Sequence, residues 1–158
     1  MTQTKPPLQD LALSLPSEAE TAALGVRLAA LARPGDCILL DGPIGAGKSH
    51  LARAFIRARL GFNEDVPSPT FTLVQVYEAD GTEIWHADLY RLSHPDEVWE
   101  LGLDDAFGKA ICLIEWPDRL GGHLPPQALW LRLETAGEGR RAILSGGRPD
   151  LLRALADG

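Results

Sequence analysis

The spacing of apolar positions changes along the chain, and the changes mark out elements. Leu11-Ala12-Leu13-Ser14-Leu15 reads as a strand. Pro16-Ser17-Glu18-Ala19-Glu20 then predicts a helix start, because the Ser17 hydroxyl can cap the first free N–H groups while Glu20, three residues on, reaches back. That helix runs towards Ala32 and is broken by Arg33-Pro34-Gly35-Asp36. Cys37-Ile38-Leu39-Leu40 is a continuous apolar run, as in strands buried on both faces. Leu51, Ala52, Phe55, Ile56 and Leu60 recur at helical spacing with Arg53, Arg57 and Arg59 on the other side, and Gly61 ends this second helix.

Further on, Val66-Pro67-Ser68-Pro69-Thr70-Phe71 predicts a rigid extended loop, since two prolines fix the backbone and remove ladder donors. Phe71 to Tyr77 and Glu83 to Ala87 look like paired strands around a turn at Asp80-Gly81. Pro95 suits the first turn of a helix through Leu101, closed by Gly102. Ala110-Ile111-Cys112-Leu113-Ile114 is a second fully apolar strand running into Glu115 and Trp116, and Leu129 to Glu134 and Arg141 to Leu144 alternate as an exposed hairpin would. Asp150 to Ala156 forms a last short helix.

The turn between the first apolar strand and its helix carries the chemistry. Gly42-Pro43-Ile44-Gly45-Ala46-Gly47-Lys48-Ser49 is a full match to G-x-x-x-x-G-K-[ST], in the strand-before, helix-after context that the pattern requires. Glycines at 42, 45 and 47 let successive N–H groups point inward at phosphate oxygens. The helix start adds its positive dipole end. Lys48 brings a full charge to the β- and γ-phosphates, and the Ser49 hydroxyl is suited to ligate Mg²⁺. The expected nucleotide-binding set is Gly42, Gly45, Ala46, Gly47, Lys48, Ser49 and His50. The expected fold is therefore α/β, a P-loop NTPase-like three-layer arrangement with a mostly parallel central sheet plus an antiparallel hairpin part. A single domain over residues 1–158, with a tail over 1–10, accommodates it.

Four more residues attach to that cradle. Glu115 ends an apolar strand where open α/β sheets bind ligands, so a metal-side role is expected of it alongside Ser49. Asp88 closes Ile84-Trp85-His86-Ala87 and either projects from the same sheet edge or caps a turn. Thr70 can sense the γ-phosphate or Mg²⁺ as a switch threonine does, or be an ordinary loop residue. His86 lies on the strand face of Asp88 and reads as a satisfied structural histidine rather than a proton shuttle. Two similar-looking motifs are set aside. Leu144-Ser145-Gly146-Gly147-Arg148 follows the acidic strand end instead of preceding it and reads as a turn, and Asp105-Ala106-Phe107-Gly108 has no N-K-x-D guanine reader to accompany it. Adenine is the default base, for which Glu18 and Arg140 are the candidate contacts.

Composition narrows the partners. The chain has 158 residues with 22 acidic against 15 basic side chains, a net charge of −7. An acidic surface does not displace counterions from a nucleic-acid backbone, so any RNA contact is expected only indirectly, through a partner. Met1 to Pro7 has no apolar core of a signal peptide, and the run Ala22 to Ala32, interrupted by Arg27, is too short to span a bilayer. A cytoplasmic location without membrane association is expected. Cys37 and Cys112 sit in apolar runs without metal-ligand spacing and read as buried thiols.

Four motifs in order carry a more specific likeness. Ser68-Pro69-Thr70-Phe71-Thr72-Leu73-Val74, His86-x-Asp88-Leu89-Tyr90-Arg91 and Ile114-Glu115-Trp116-Pro117, all downstream of Gly45-Ala46-Gly47-Lys48-Ser49, together resemble the TsaE family of small ATPases from bacterial threonylcarbamoyladenosine tRNA modification. The resemblance covers about Leu15 to about Arg141. It implies a slow, partner-stimulated ATP hydrolase using ATP and Mg²⁺ and working with the TsaD and TsaB proteins. It also implies Lys48, Thr70, Asp88 and Glu115 as catalytic residues, Ser49 and Glu115 on the metal, and Trp116 in the nucleotide or partner site. Many members have an acid after the first motif glycine and two threonines after the lysine, where this chain has Pro43, Ser49 and His50. Ser49 keeps the metal-binding hydroxyl. A small-molecule P-loop kinase is the rival enzyme reading, and a nucleotide-stiffened scaffold the non-enzymatic one. The kinase would need a lid of phosphate-clamping arginines, for which only Arg140 and Arg141 are available.

Overall fold

In a computed structural model that describes residues 10–43, 45–61 and 73–157, the two fully apolar runs lie side by side at the centre of one sheet. They are β2 (Cys37–Asp41) and β5 (Ile111–Glu115), paired in parallel so that Cys37 faces Cys112 and Leu40 faces Glu115. Around them stand β1 (Leu11–Leu15), β3 (Val74–Ala79), β4 (Thr82–Asp88), β6 (Leu129–Ala136) and β7 (Gly139–Gly146). The seven strands run in the order β1-β7-β6-β2-β5-β4-β3. The central four, β6-β2-β5-β4, are parallel, and antiparallel partners close both edges, β3 on β4 and the β6–β7 hairpin with β1.

Helices cover both faces. On one lie α1 (Glu18–Leu31), α2 (Lys48–Leu60) and α5 (Pro149–Asp157), whose Leu24, Leu28, Leu51, Phe55 and Leu152 pack on Ile38, Leu40, Leu113 and Leu131. On the other lie α3 (Glu97–Leu101), α4 (Leu103–Ala106) and a 3-10 turn over 117–123, packed on Leu39, Ala87, Cys112 and Ile114. This is the three-layer arrangement that the alternation of periods implies. Ser17 caps α1 as its position predicts, accepting from the Glu20 amide at 3.3 Å. No helix among the described residues is long and apolar enough to cross a membrane.

Several expectations are corrected. The hairpin of Leu129 and Arg141 is not exposed: β6 lies between β7 and β2, and its alternation buries Leu129, Leu131 and Leu133 under the helices. Leu144, Ser145 and Gly146 belong to β7 instead of a turn, and Arg148 closes a two-pronged ion pair on Asp36, both contacts at 2.8 Å. A helix, α4, occupies Leu103–Ala106 where none is expected, with Gly102 in the left-handed conformation between it and α3. The two cysteines are buried and free, and burial pushes both thiols up, Cys112 to about 12. The loop from Val66 to Phe71, with Thr70, lies outside the described residues.

Candidate functional site

Three of the parallel strands, β2, β4 and β5, end at one edge of the sheet, where the β2–α2 turn also lies. Their shared register sets Asp88, the last residue of β4, directly opposite Glu115, the last of β5. In adjacent strands that places the two backbones about 4.8 Å apart, so both carboxylates serve one cavity. The cavity measures about 450 Å³ and is lined by Gly45, Gly47, Lys48, Ser49, His50, Arg53, Asp88, Tyr90, Glu115 and Trp116.

The turn has the backbone that a phosphate cradle needs. Gly42 has φ 137°, and a Cβ there would sit 2.4 Å from the Leu133 carbonyl oxygen, so β6 excludes any side chain. Gly47, left-handed at φ 101°, is the N-cap of α2 and brings no side chain to its first amides, which leaves them available to an anion. Arg140 of β7 grips the turn from outside. Its guanidinium donates to the Gly45 carbonyl at 2.9 Å and to the Ala46 carbonyl at 3.1 Å, besides its neighbour Gly139 at 3.0 Å. Carbonyls held outward leave the opposite edges of those peptides, with their N–H groups, for the inner side.

Lys48 is buried, donates to the Gly42 carbonyl and lies 3.5 Å over the Trp116 ring. Burial lowers its affinity for a proton, while Glu115, Asp41, Asp88 and Asp118 pull the other way. Ser49 donates its hydroxyl to both Glu115 oxygens, at 2.9 and 3.1 Å. Glu115 Oε2 also meets His86 Nε2 at 2.7 Å. Asp88 fits both of its expected roles: it lines the cavity, and its Oδ1 accepts from the Tyr90 amide at 3.1 Å. Desolvation holds its carboxyl above the usual range, with the Tyr90 hydrogen bond opposing.

Trp116 has a left-handed backbone, φ 60°, which costs a non-glycine residue about 1 kcal/mol. That geometry turns its ring onto Lys48 and, at 4.9 Å, onto Tyr90. Tyr90 is 44% exposed and has no counterpart among the sequence candidates, and Arg53 also lines the cavity unanticipated. Tyr90 could have been suspected from its position two residues after Asp88. Trp116 carries no signal of its own in the spacing of the chain.

Which residues could hold a magnesium ion follows from the donor set. Among the described residues no group of three His, Cys, Asp or Glu is placed for a metal. Magnesium bound with a polyphosphate needs few protein oxygens, because phosphate and water complete its octahedron. The Ser49 hydroxyl and the Glu115 carboxylate, already in contact beside Lys48, fit that requirement.

A second, smaller cleft of about 180 Å³ adjoins the cradle, sharing Gly45, Gly47 and His50 with the main cavity. Ser17, Glu18, Thr21, Glu138, Gly139 and Arg140 complete its walls. The two candidate base contacts, Glu18 and Arg140, thus meet in one place. His50 Nε2 lies 3.1 Å from the Glu18 carbonyl at this boundary.

Comparison with known proteins bears on the family and the fold. A family model described as Threonylcarbamoyl adenosine biosynthesis protein TsaE matches residues 15–143. A tRNA threonylcarbamoyladenosine biosynthesis protein TsaE of Rickettsia felis is 40% identical over 129 residues, covering 82% of this chain and 75% of the relative. Its counterpart in Bacillus subtilis is 38% identical over 125 residues, covering 78% and 77%. The crystal structure of Bacillus subtilis YdiB superimposes with a TM-score of 0.74 at 27% identity, covering 94% of this chain and 93% of the other.

Proposed function

The chain belongs to the TsaE family, and from that premise we propose that it binds Mg·ATP at the β2–α2 turn and hydrolyses it slowly, in support of threonylcarbamoylation of tRNA. The observation that carries this reading is the Ser49 hydroxyl resting on the Glu115 carboxylate at 2.9 Å beside the buried Lys48 ammonium. A hydroxyl, a carboxylate and an ammonium at a helix N-terminus form the donor set of a nucleoside triphosphate site.

In this reading the nucleoside occupies the smaller cleft, between Glu18 and Arg140, and the phosphates follow the turn into the larger cavity. Lys48 leaves the Gly42 carbonyl for the β- and γ-phosphates. Ser49 and Glu115 would hold magnesium, which would supply charge neutralisation at the transferring phosphoryl. Asp88 orients the attacking water. The one hydrogen bond of its carboxylate among the described residues, accepted from the Tyr90 amide, engages Oδ1 and leaves Oδ2 for that water. Its reluctance to ionise suits a group that takes part of a proton. Thr70 keeps its proposed place as a sensor of the γ-phosphate.

The partners are the TsaD and TsaB proteins, with tRNA contacted only through them, and nucleotide state governs association in that complex in the cytoplasm. A net charge of −7 supports indirect contact. The kinase alternative loses its lid, because Arg140 is occupied with the carbonyls of Gly45 and Ala46 and Arg141 sits in β7, between β1 and β6. Phosphate release by the protein with TsaD and TsaB tests the reading. Lys48→Ala is expected to lower turnover by about two orders of magnitude or more. An unaltered rate in that variant would contradict it.

A further inference from the structure

Along the face of β4 that meets α2, side chains run Ile84, His86, Asp88, from the hydrophobic core to the cavity. His86 stands at the boundary, fully buried. An imidazole sealed from water costs free energy that an apolar side chain of its size does not, so a packing role alone does not account for it. The buried polar residues among those described are Thr21, Lys48, His86 and Glu115. Three of them form the site, and Thr21 lines the adjoining cleft.

The contacts on Glu115 divide the work. Ser49 touches both carboxylate oxygens almost equally, at 2.9 and 3.1 Å, so its hydroxyl does not select one rotation of the carboxylate about its last torsion. His86 Nε2 touches Oε2 alone, at 2.7 Å, and thereby distinguishes the two oxygens. His86 Nδ1 has no hydrogen-bond partner among the described residues. The tautomer with hydrogen on Nε2 leaves only a lone pair there, and directs the buried hydrogen bond of the ring at Glu115.

We propose that His86 is a positioning residue for Glu115: it pins Oε2 on the core side so that Oε1 and the Ser49 hydroxyl are presented together to the magnesium side of the cavity. This rests on the metal-side reading of Glu115. It differs from both roles the sequence suggests for His86, since the ring neither merely packs nor moves a proton. Partners of this kind, one shell out from a metal, commonly change its affinity 10- to 100-fold.

The test reads metal binding without turnover. Mn²⁺ is titrated with ADP against the protein, with free Mn²⁺ followed by electron paramagnetic resonance, and metal-free ADP affinity is measured in parallel with chelator present. His86→Leu is expected to weaken Mn²⁺ binding in the ADP complex about tenfold or more, with metal-free ADP affinity kept. His86→Gln, whose amide nitrogen falls near the position of Nε2, is expected to recover most of the loss. His86→Asn, whose nitrogen falls near Nδ1, is not. Circular dichroism establishes that each variant is folded, and if His86→Leu does not fold the Gln and Asn pair decides.

Equal losses in Gln and Asn, or undiminished Mn²⁺ affinity in folded His86→Leu, would overturn the proposal. Glu115→Gln separates the two readings. If it loses Mn²⁺ and His86→Leu does not, only the positioning role falls. If Glu115→Gln itself keeps full Mn²⁺ affinity, the metal-side reading falls and the positioning role with it.

Discussion

Asp88 shows how single residues here are tuned against stability. Its carboxyl is held above the ordinary range chiefly by desolvation. A carboxyl whose folded value exceeds its unfolded value is bound to a proton more readily in the native state, so near neutrality its ionised form costs stability. That cost disappears as pH falls through the raised value. Asp88→Asn keeps an oxygen for the Tyr90 amide and removes the charge. The variant is expected to unfold at a higher urea concentration than the parent at pH 7, with the gap closing on acidification, while ATP turnover falls about a hundredfold. A less stable or fully active Asp88→Asn would refute the assignment. The residue chemistry of the cradle is readable in Gly42 to Ser49 because the motif is local. The bond from His86 to Glu115 is not, because 29 positions separate its partners and only the β4–β5 register brings them together.

At the scale of elements, the direction in which α2 delivers Lys48 and Ser49 depends on how closely α1 approaches it. A Cβ at Gly25 of α1 would lie 2.6 Å from the Leu51 carbonyl oxygen of α2. Alanine favours an isolated helix over glycine by about 1 kcal/mol, but overpacking backbone against backbone costs about 1–3 kcal/mol. Gly25→Ala is therefore expected to be net destabilising, seen as a lower urea midpoint, and to weaken ADP binding by shifting the start of α2. A neutral or stabilising outcome would show that the helices can part without consequence. The helices themselves are legible from period and caps, as Ser17 and Gly61 demonstrate. The tight crossing is not, since nothing around Gly25 in the sequence says which neighbour it must admit. The β6–β7 hairpin reads as exposed in the sequence for a related reason: alternation reports one buried face and not the position of a strand within its sheet.

For the molecule as a whole, parallel strands gather Asp88, Glu115 and the β2–α2 turn at one edge, while the antiparallel hairpin brings Arg140 round to the outside of that turn. The site is thus assembled from three separate stretches, and its rim depends on strand order that no local pattern discloses. The α/β class and the family are legible because four motifs occur in order. In the proposed function this assembly traps a nucleoside triphosphate through Lys48 and the amides of the turn. Calorimetric titration of Mg·ATP into the folded protein and into folded Lys48→Ala, with TsaD and TsaB present, tests that claim most directly. The account predicts saturable one-to-one binding by the parent and a loss of about two orders of magnitude in affinity for the variant. No binding by the parent, or equal binding by both, would contradict it.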